Sequence, residues 1–488
     1  VLEVKKPMKV LIVNTNRNDN ALPVMPVGAC MVADAASRAG HHVRFFDAMF
    51  SRHPGDELRA QLNAFQPEVV GFSIRNIDNN DIQHPREYYK DMASLLADVY
   101  GSSKTRLVIG GAAVAVMPEA LLRYTGASWA VVGDGETVFP QLLASISSQS
   151  SFKRIPHLAW IENNVFMKND GPACREMSAS PAPDFHRWLD ARKYVRAAST
   201  VPLQSKRGCP ARCIYCTYAA AEGSAYRLCP PEQVTEAVKR LVGWGFQDIE
   251  FVDNVFNAPY EHALAICESL AEAKTGARLH TIELNPMHMD DQLLNAMERA
   301  GFAGMGITAE SASDGVLEGL GKDFRSEHVH KSAELIRRHN IPCLWIFLFG
   351  GPGETPATVK ETLAFAGSRI RSEDAAFFNI GLRIYPGTRI ERRARKEGTL
   401  NVAQNNMLTP VFYFSPGVKL EWLVAELNRA VSTHTNFLTP TTIGPSFLWL
   451  IKLVNRLGYR CGLRPPFWRY TSPIKRKLKM LGIRDDRS

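Results

Sequence analysis

The sequence predicts an α/β protein made of two successive parallel-sheet units and a small, mainly helical carboxyl-terminal extension. Three observations carry this. At 488 residues the chain is too long for one hydrophobic core and should divide. Before about residue 150, short apolar runs recur with helical patterns between them. From about 200 to 400 the same alternation begins again. The expected boundaries are 1–150 for the first unit, 151–199 for a linker, 200–400 for the second unit and 401–488 for the extension with its basic tail.

In the first unit the apolar runs fall at 10–13, 43–46, 69–74, 107–109 and 130–132. Continuous rather than alternating apolar strands imply burial on both faces. Helical patterns lie between them at 28–39, closed by Gly40, and at 88–99. Five such βα units suggest a flavodoxin-like, Rossmann-type sheet whose ligand sits at the carboxyl ends of the strands. The first βα connection, 14–26, exceeds the usual roughly 2–6 residues. Gly110-Gly111 ends one strand and Gly133-Asp134-Gly135-Glu136 the next. Glycine there lets a ligand approach backbone, although an ordinary turn reads the same way. His41 and His42 fall in a helix–strand turn at the other end of the sheet and are expected to be solvent-exposed.

Residues 178–184, rich in Ser, Ala and Pro, read as the linker, with Trp188 and Tyr194 leading into the second unit. There, strands are expected at 203–206, 249–252, 279–284, 304–309, 343–349 and 378–384. Amphipathic helices separate them; at 232–242, Val234, Ala237, Val238, Leu241 and Val242 share a face. Six βα units suggest an open partial (β/α)6 barrel, with function at the carboxyl ends of its strands. Polar groups gather at those ends: Asp253-Asn254, Glu283 with Asn285, Glu310-Ser311, and a turn at 349–355 containing Gly351 and Glu354. Helix capping competes for the carboxylates, most clearly at Glu354-Thr355, which precedes a helix.

The most specific stretch lies near the start of the second unit: Arg207-Gly208-Cys209-Pro210-Ala211-Arg212-Cys213-Ile214-Tyr215-Cys216. Its CxxxCxxC spacing can turn three thiolates towards one point, and soft thiolates suit iron–sulfur clusters and zinc. A cubane held by three cysteines leaves one iron open. A structural zinc site would need a fourth ligand, and neither Cys229 nor a histidine stands at a familiar spacing. This loop, with Tyr215 before the third cysteine, resembles the cluster loop of the radical S-adenosylmethionine (SAM) superfamily.

The resemblance implies a four-iron four-sulfur cluster on Cys209, Cys213 and Cys216. Its open iron would chelate SAM, and an electron from it would cleave the carbon–sulfur bond to release a 5′-deoxyadenosyl radical. The family's SAM contacts would fall on Tyr215, Asp253, Asn254, Glu283, Glu310, Gly351 and Glu354. The segment 306–311 resembles the family's Gly-Ile-Glu-Ser, with Thr308-Ala309 inserted or substituted. No catalytic acid or base stands out.

The first unit resembles the cobalamin-binding domain fused in front of many radical SAM enzymes. The likeness lies in Leu22-Pro23, Pro26-Val27-Gly28, the return from Ala39-Gly40-His41 to Asp47, and Val132-Gly133-Asp134-Gly135-Glu136; the segment 410–416 resembles the same fused enzymes. One departure matters. Domains that ligate cobalt carry Asp-x-His-x-x-Gly after the first strand, where this chain has Asn14-Thr15-Asn16-Arg17. Cobalamin is therefore expected without a histidine below the cobalt, with Arg75 and Asn76 facing its lower side. Asn14, Gly110, Gly111, Gly133, Gly135 and Glu136 complete the implied cobalamin contacts. The fused family implies a methyltransferase acting on an unactivated carbon of a small molecule, in secondary-metabolite or lipid-type biosynthesis. Alternatives with the same cofactors are a non-methylating rearrangement, cyclisation or oxidation, and a cobalamin-binding redox sensor.

Composition bounds the rest. With 45% apolar and 22% charged residues the chain reads as an ordinary globular protein. Its nine cysteines do not make a disulfide framework, and Cys30, Cys267 and Cys343 fall in apolar patterns as buried thiols. Of the net charge of +9, residues 441–488 carry all: eleven Lys or Arg against Asp485 and Asp486, leaving 47 basic and 47 acidic residues elsewhere. No basic segment leads into an amino-terminal apolar run, so no signal peptide is expected. An open-iron cluster suits a reducing compartment, which points to the cytoplasm and to an electron donor such as flavodoxin or ferredoxin. The apolar and basic end could touch an anionic membrane; nucleic acid is not an expected partner.

Overall fold

The computed structural model describes residues 6–18, 22–101, 105–171, 177, 180–400, 407–440 and 445–470. The first sheet contains β1 (Lys9–Asn14), β2 (His42–Asp47), β3 (Val69–Ser73), β4 (Arg106–Gly110) and β5 (Trp129–Val131), in the order β2-β1-β3-β4-β5 and all parallel. Four of the apolar runs therefore become central strands buried on both faces, whereas the run at 43–46 becomes the edge strand β2, where only Phe46 is fully buried. The helix Val27–Arg38 ends where Gly40 takes φ +90°, the left-handed conformation that closes helices. The pattern at 88–99 divides into a 3-10 turn, Tyr88–Met92, and a helix, Ala93–Tyr100.

Part of the expected 151–199 linker belongs to this sheet. β6 (Leu158–Glu162) and β7 (Val165–Lys168) form an antiparallel hairpin on β5. Beyond it, Ser178 and Ala179 lie outside the described residues, while Ser180 and Ala182 accept hydrogen bonds from Arg240. Trp188 donates to Asp34 (2.6 Å) and Tyr194 to Asp47 (2.9 Å), so the connection is bolted back onto the first unit. His41 is a correction: it is only 5% exposed and accepts the Met8 amide at 3.2 Å, because the turn tucks under β1. His42 is exposed.

The second sheet is also all parallel. Its strands are β8 (Val201–Leu203), β11 (Asp248–Phe251), β12 (Arg278–Leu284), β13 (Phe302–Glu310), β14 (Cys343–Phe349), β15 (Ala375–Ile380) and β18 (Phe437–Leu438), in the order β18-β15-β14-β13-β12-β11-β8. The seventh strand, β18, comes from the carboxyl-terminal extension. The strand expected at 203–206 stops at Leu203. The Gln204 amide donates to the Pro181 carbonyl, and the Ser205 and Lys206 amides to the Asp253 carboxylate, instead of to a neighbouring strand. β9 (Lys206–Arg207) then pairs antiparallel with β10 (Arg227–Leu228), and β16 (Leu382–Arg383) with β17 (Phe412–Tyr413).

The two units share a buried boundary. Arg383 of β16 donates to Asp78, from the loop after β3, at 2.8 Å with both side chains almost fully enclosed. Cys30, Cys267 and Cys343 are buried as expected. The apolar run at 447–454 lies in the helix Pro445–Arg460, and no described helix is long and apolar enough to cross a membrane. The basic run at 475–479 lies outside the described residues.

Candidate active site at the domain boundary

The carboxyl ends of the two sheets face one another across a cavity of about 910 Å³. From the first unit it is lined by Asn14, Asn16, Ser73, Arg75, Asn76, Gly110, Gly111 and the turn Gly133-Asp134-Gly135-Glu136. From the second come Gln204, Arg207, Tyr218, Glu222, Glu250, Asp253 and Glu283. Every residue expected from sequence to contact cobalamin is thus on this wall, at the strand ends where doubly wound sheets take ligands.

Two features fit a large polar cofactor there. The Asn16 side-chain Oδ1 accepts the Asn18 amide at 3.1 Å, but its Nδ2 is buried without a hydrogen-bond partner among the described residues, which costs free energy unless a ligand accepts from it. Gly111 has φ +102°, and a Cβ there would stand 2.6 Å from the Ile74 carbonyl oxygen, so only glycine keeps this edge open. No histidine is among the lining residues. Arg75 makes no hydrogen bond or salt bridge among the described residues, and burial pulls its pKa down. Asn14 and Glu136 have prior partners: Asn14 donates to Asp47 at 2.8 Å, and Glu136 is ion-paired with Arg207.

That pair belongs to a buried network spanning both units. Arg207 also bonds Asp134 (2.7 Å), Gln204 (2.9 Å) and the Met31 sulfur (3.3 Å). Arg227, opposite it in the β9–β10 hairpin, holds Asp134 with both guanidinium nitrogens. Burial raises the Asp134 carboxyl, but the two arginines outweigh it and the net shift is down. Glu222 accepts from Gln204, Asn254 and the Gly208 amide. Gly208 itself has φ +81°, and a Cβ there would meet the Ala225 carbonyl. The start of the cysteine loop is thereby fixed against the turn after β5.

Cys209, Cys213 and Cys216 are all free thiols. Burial raises each pKa, that of Cys216 to about 11, and the charges of neighbouring thiols add to the shifts of Cys213 and Cys216. All three stand on the one loop, at 209, 213 and 216. Cys229, the fourth thiol a zinc site could have used, instead faces Gln233 at 3.7 Å. Among the described residues no three His, Cys, Asp or Glu side chains converge on a single-ion site. This donor set, three soft thiols on one loop, fits a cubane cluster.

The residues expected to contact SAM divide. Asp253 and Glu283 line the cavity; Tyr215, Asn254, Glu310, Gly351 and Glu354 are not on its wall. Asp253 accepts from the Ser205 hydroxyl (2.5 Å) and amide (2.7 Å) and from the Lys206 amide (3.2 Å), so its oxygens hold the loop. Burial, and then the charge of Glu310, push the Glu283 carboxyl up to about 8. Tyr215 donates to Glu310 at 2.6 Å, and Lys322 donates to both, 2.9 and 2.8 Å away. β13 is irregular between Thr308 and Glu310, and Glu310 has φ +60°. Such a bulge re-aims a side chain, here towards Lys322. Residues not singled out from sequence also belong here: Asn16, Tyr218 and Glu250 on the wall and Lys322 behind the loop. Tyr218 had a local signal, two residues past the last cysteine, and so did Asn16, which lies in the 14–17 stretch that departs from the cobalt-ligating motif.

Glu354 is enclosed beside the 350–353 turn. It accepts from Thr358 (2.6 Å) and the Gly350 amide (3.3 Å), while Thr355 caps the helix Pro356–Arg369. Burial outweighs those donors and pushes its carboxyl from 4.5 to about 7. A carboxyl raised on folding contributes full stability below its unfolded value and loses it as pH climbs through the folded one. Replacing Glu354 by Gln should therefore flatten the fall in urea midpoint between about pH 5 and about pH 8. Parallel pH profiles for the two proteins would contradict this.

A cofactor cavity between a doubly wound sheet and an open parallel barrel, beside a three-thiol loop, defines a two-domain radical enzyme architecture. The B12-binding domain family matches residues 18–143 and the radical SAM superfamily residues 203–366. The chain belongs to the proteins that join a B12-binding domain to a radical SAM domain. It is 26% identical over 391 residues to an uncharacterized methyltransferase of Pyrococcus horikoshii, covering 79% of this chain and 80% of that one. It is 22% identical to the tryptophan 2-C-methyltransferase of Streptomyces laurentii, covering 76% and 72%. The radical SAM methyltransferase TsrM from Kitasatospora setae, solved with tryptophan substrate and a SAM analogue, superposes with a TM-score of 0.84 at 22% identity, over 97% of this chain and 100% of that one. The cobalamin-dependent radical SAM enzyme OxsB gives 0.69 at 14% identity, over 98% and 76%. At these identities the structural likenesses carry the fold.

Proposed function

We propose that this protein is a cobalamin-dependent radical SAM methyltransferase that methylates an unactivated carbon of a small molecule. The observation that carries the reading is the single cavity onto which both sheets open, next to the three-thiol loop. When bound, the cluster and SAM supply a carbon radical at the substrate and cobalamin carries the methyl group.

This chain's own residues would do the following. Cys209, Cys213 and Cys216 hold the iron. Asn16, Gly110, Gly111, Gly133 and Gly135 would offer an amide and open backbone to the corrin, while Arg75 and Asn76 would face its lower side. Arg75 keeps that face cationic without offering a lone pair. Asp253 orients the loop before the cysteines. Glu283, with Tyr218 and Glu250 beside it on the cavity wall, orients SAM or substrate through hydrogen bonds. Glu310 and Tyr215, locked to Lys322, support the cysteine loop and touch SAM only if that triad opens. Asn254, through Glu222, holds the same loop, and Gly351 and Glu354 shape the turn beside it.

The test is anaerobic reconstitution with iron, sulfide and cobalamin, then methyl-labelled SAM and a small-molecule extract, read by mass spectrometry. A labelled product that requires cobalamin is expected. Deoxyadenosine without any labelled product would favour a non-methylating reaction, and a fully loaded protein giving neither would overturn the reading.

A further inference from the structure

The helix Arg389–Lys396 has no part in the cavity, yet it packs directly on the cysteine loop. Its buried face is Ile390 and Ala394. The Ile390 amide donates to the Ile214 carbonyl at 2.9 Å, and the Arg389 guanidinium donates to the Arg212 carbonyl, also at 2.9 Å. Five basic residues, Arg389, Arg392, Arg393, Arg395 and Lys396, stand against Glu391 in the helix and Glu397 just after it. Both acids are committed: Glu397 to Arg393 at 2.7 Å and Glu391 to Arg395 at 2.9 Å.

Arg389, Arg392 and Lys396 remain. Their spacing of three and then four residues sets them in one stripe. All three are exposed, as is Arg212 between the first two cysteines, and none makes a salt bridge among the described residues. Outside 441–488 the sequence carries no net charge, so this stripe is a local concentration beside the one loop that must receive electrons.

We propose that Arg389, Arg392, Lys396 and Arg212 form the docking surface for an acidic electron-carrier protein of the flavodoxin or ferredoxin type. The proposal rests on the radical SAM reading above. In the step it serves, one electron leaves the carrier's reduced flavin or iron–sulfur centre and enters the cluster; no covalent bond forms or breaks. Complementary charge raises the encounter rate and sets orientation, and redox encounters of this kind use small interfaces. A stripe of four cations suits such a transient contact.

The test uses the double variant Arg392→Glu with Lys396→Glu. Arg392→Gln with Lys396→Gln serves as a milder partner should charge reversal disturb the fold, and Lys360→Glu, on the barrel helix Pro356–Arg369, is the control. Binding of an acidic flavodoxin is measured by calorimetry at low and high salt on the cluster-free chain. Cluster reduction is followed by stopped flow with reduced flavodoxin and, separately, with dithionite. Reversal should weaken carrier binding and slow carrier-driven reduction by about tenfold or more, with a smaller salt dependence and unchanged dithionite reduction. The glutamine pair should fall between. Unchanged carrier affinity, an equal loss in the Lys360 control, or tighter binding of duplex DNA than of flavodoxin would overturn the proposal. Failure of the dithionite-reduced protein to cleave SAM would sink the radical SAM reading instead, because the binding arm is read without the cluster.

Discussion

Cys213→Ala should strip the protein of its iron–sulfur centre and of SAM cleavage while leaving the fold intact. Cys213 is half-buried and unbridged, and it sits in a loop whose shape is set by other bonds: Cys209 amide to Gly223, Ile214 amide to Leu320 and Ile390 amide to Ile214. Removing one sulfur therefore costs little packing. The chemistry suffers instead, because a cubane that already lacks a fourth protein ligand is left with two thiolates. After anaerobic reconstitution, iron and sulfide should drop from about four of each per chain to background. Deoxyadenosine formation should vanish with them. Cys229→Ala is the matched control. Its thiol faces Gln233, so it should load iron as the parent does. A Cys213→Ala protein that keeps parental iron and sulfide would refute the assignment of the loop.

The second large effect is expected at Arg207. Its side chain is 8% exposed and bonds Asp134 and Glu136, which are 11% and 5% exposed. Replacing it with Met keeps the bulk and removes the charge, leaving two enclosed carboxylates to share Arg227. Breaking a buried pair from one side costs about 3–5 kcal/mol, because the remaining charge has lost its compensation. For comparison, Lys239 and Glu236 are 48% and 67% exposed, and Lys239→Met should cost about 1 kcal/mol or less. Urea unfolding of the two variants separates these cases. Arg207 immediately precedes Gly208-Cys209, and its partners lie in the turn after β5. The same substitution should therefore lower both cobalamin affinity and iron loading. Arg207→Lys should recover only part of each, since an ammonium cannot form the guanidinium fork. A loss below about 1 kcal/mol for Arg207→Met would show that the network does not hold the units together.

Much of this was legible in the chain before folding. The apolar runs at 10–13, 69–74 and 343–349 lie within or almost exactly on strands, and Gly40 ends its helix through a left-handed φ. These features depend on neighbours a few residues away. The hairpin at 158–168 was missed because its outer strand is largely exposed, so it lacks the continuous apolar signature of a central strand. His41 was misplaced for a related reason: a turn reads as surface unless one knows that β1 begins beside it.

The carboxylates show the same boundary more sharply. Asp253, Glu283, Glu310 and Glu354 all follow strand ends and look alike in sequence. In the folded chain Asp253 braces two amides, Glu310 is turned by a bulge onto Lys322, Glu354 rests in a turn of its own, and Glu283 lines the cavity.

By itself, the sequence determined most of the central parallel strands, the ends of helices such as the one closed by Gly40, and the spacing of three thiols, since each is set by neighbours a few residues away. Only the tertiary structure decided which charges pair across the units and which remain open to a ligand. Those choices depend on groups such as Asp78 and Arg383, 305 residues apart, that approach only when burial makes an unpaired charge too costly to leave alone.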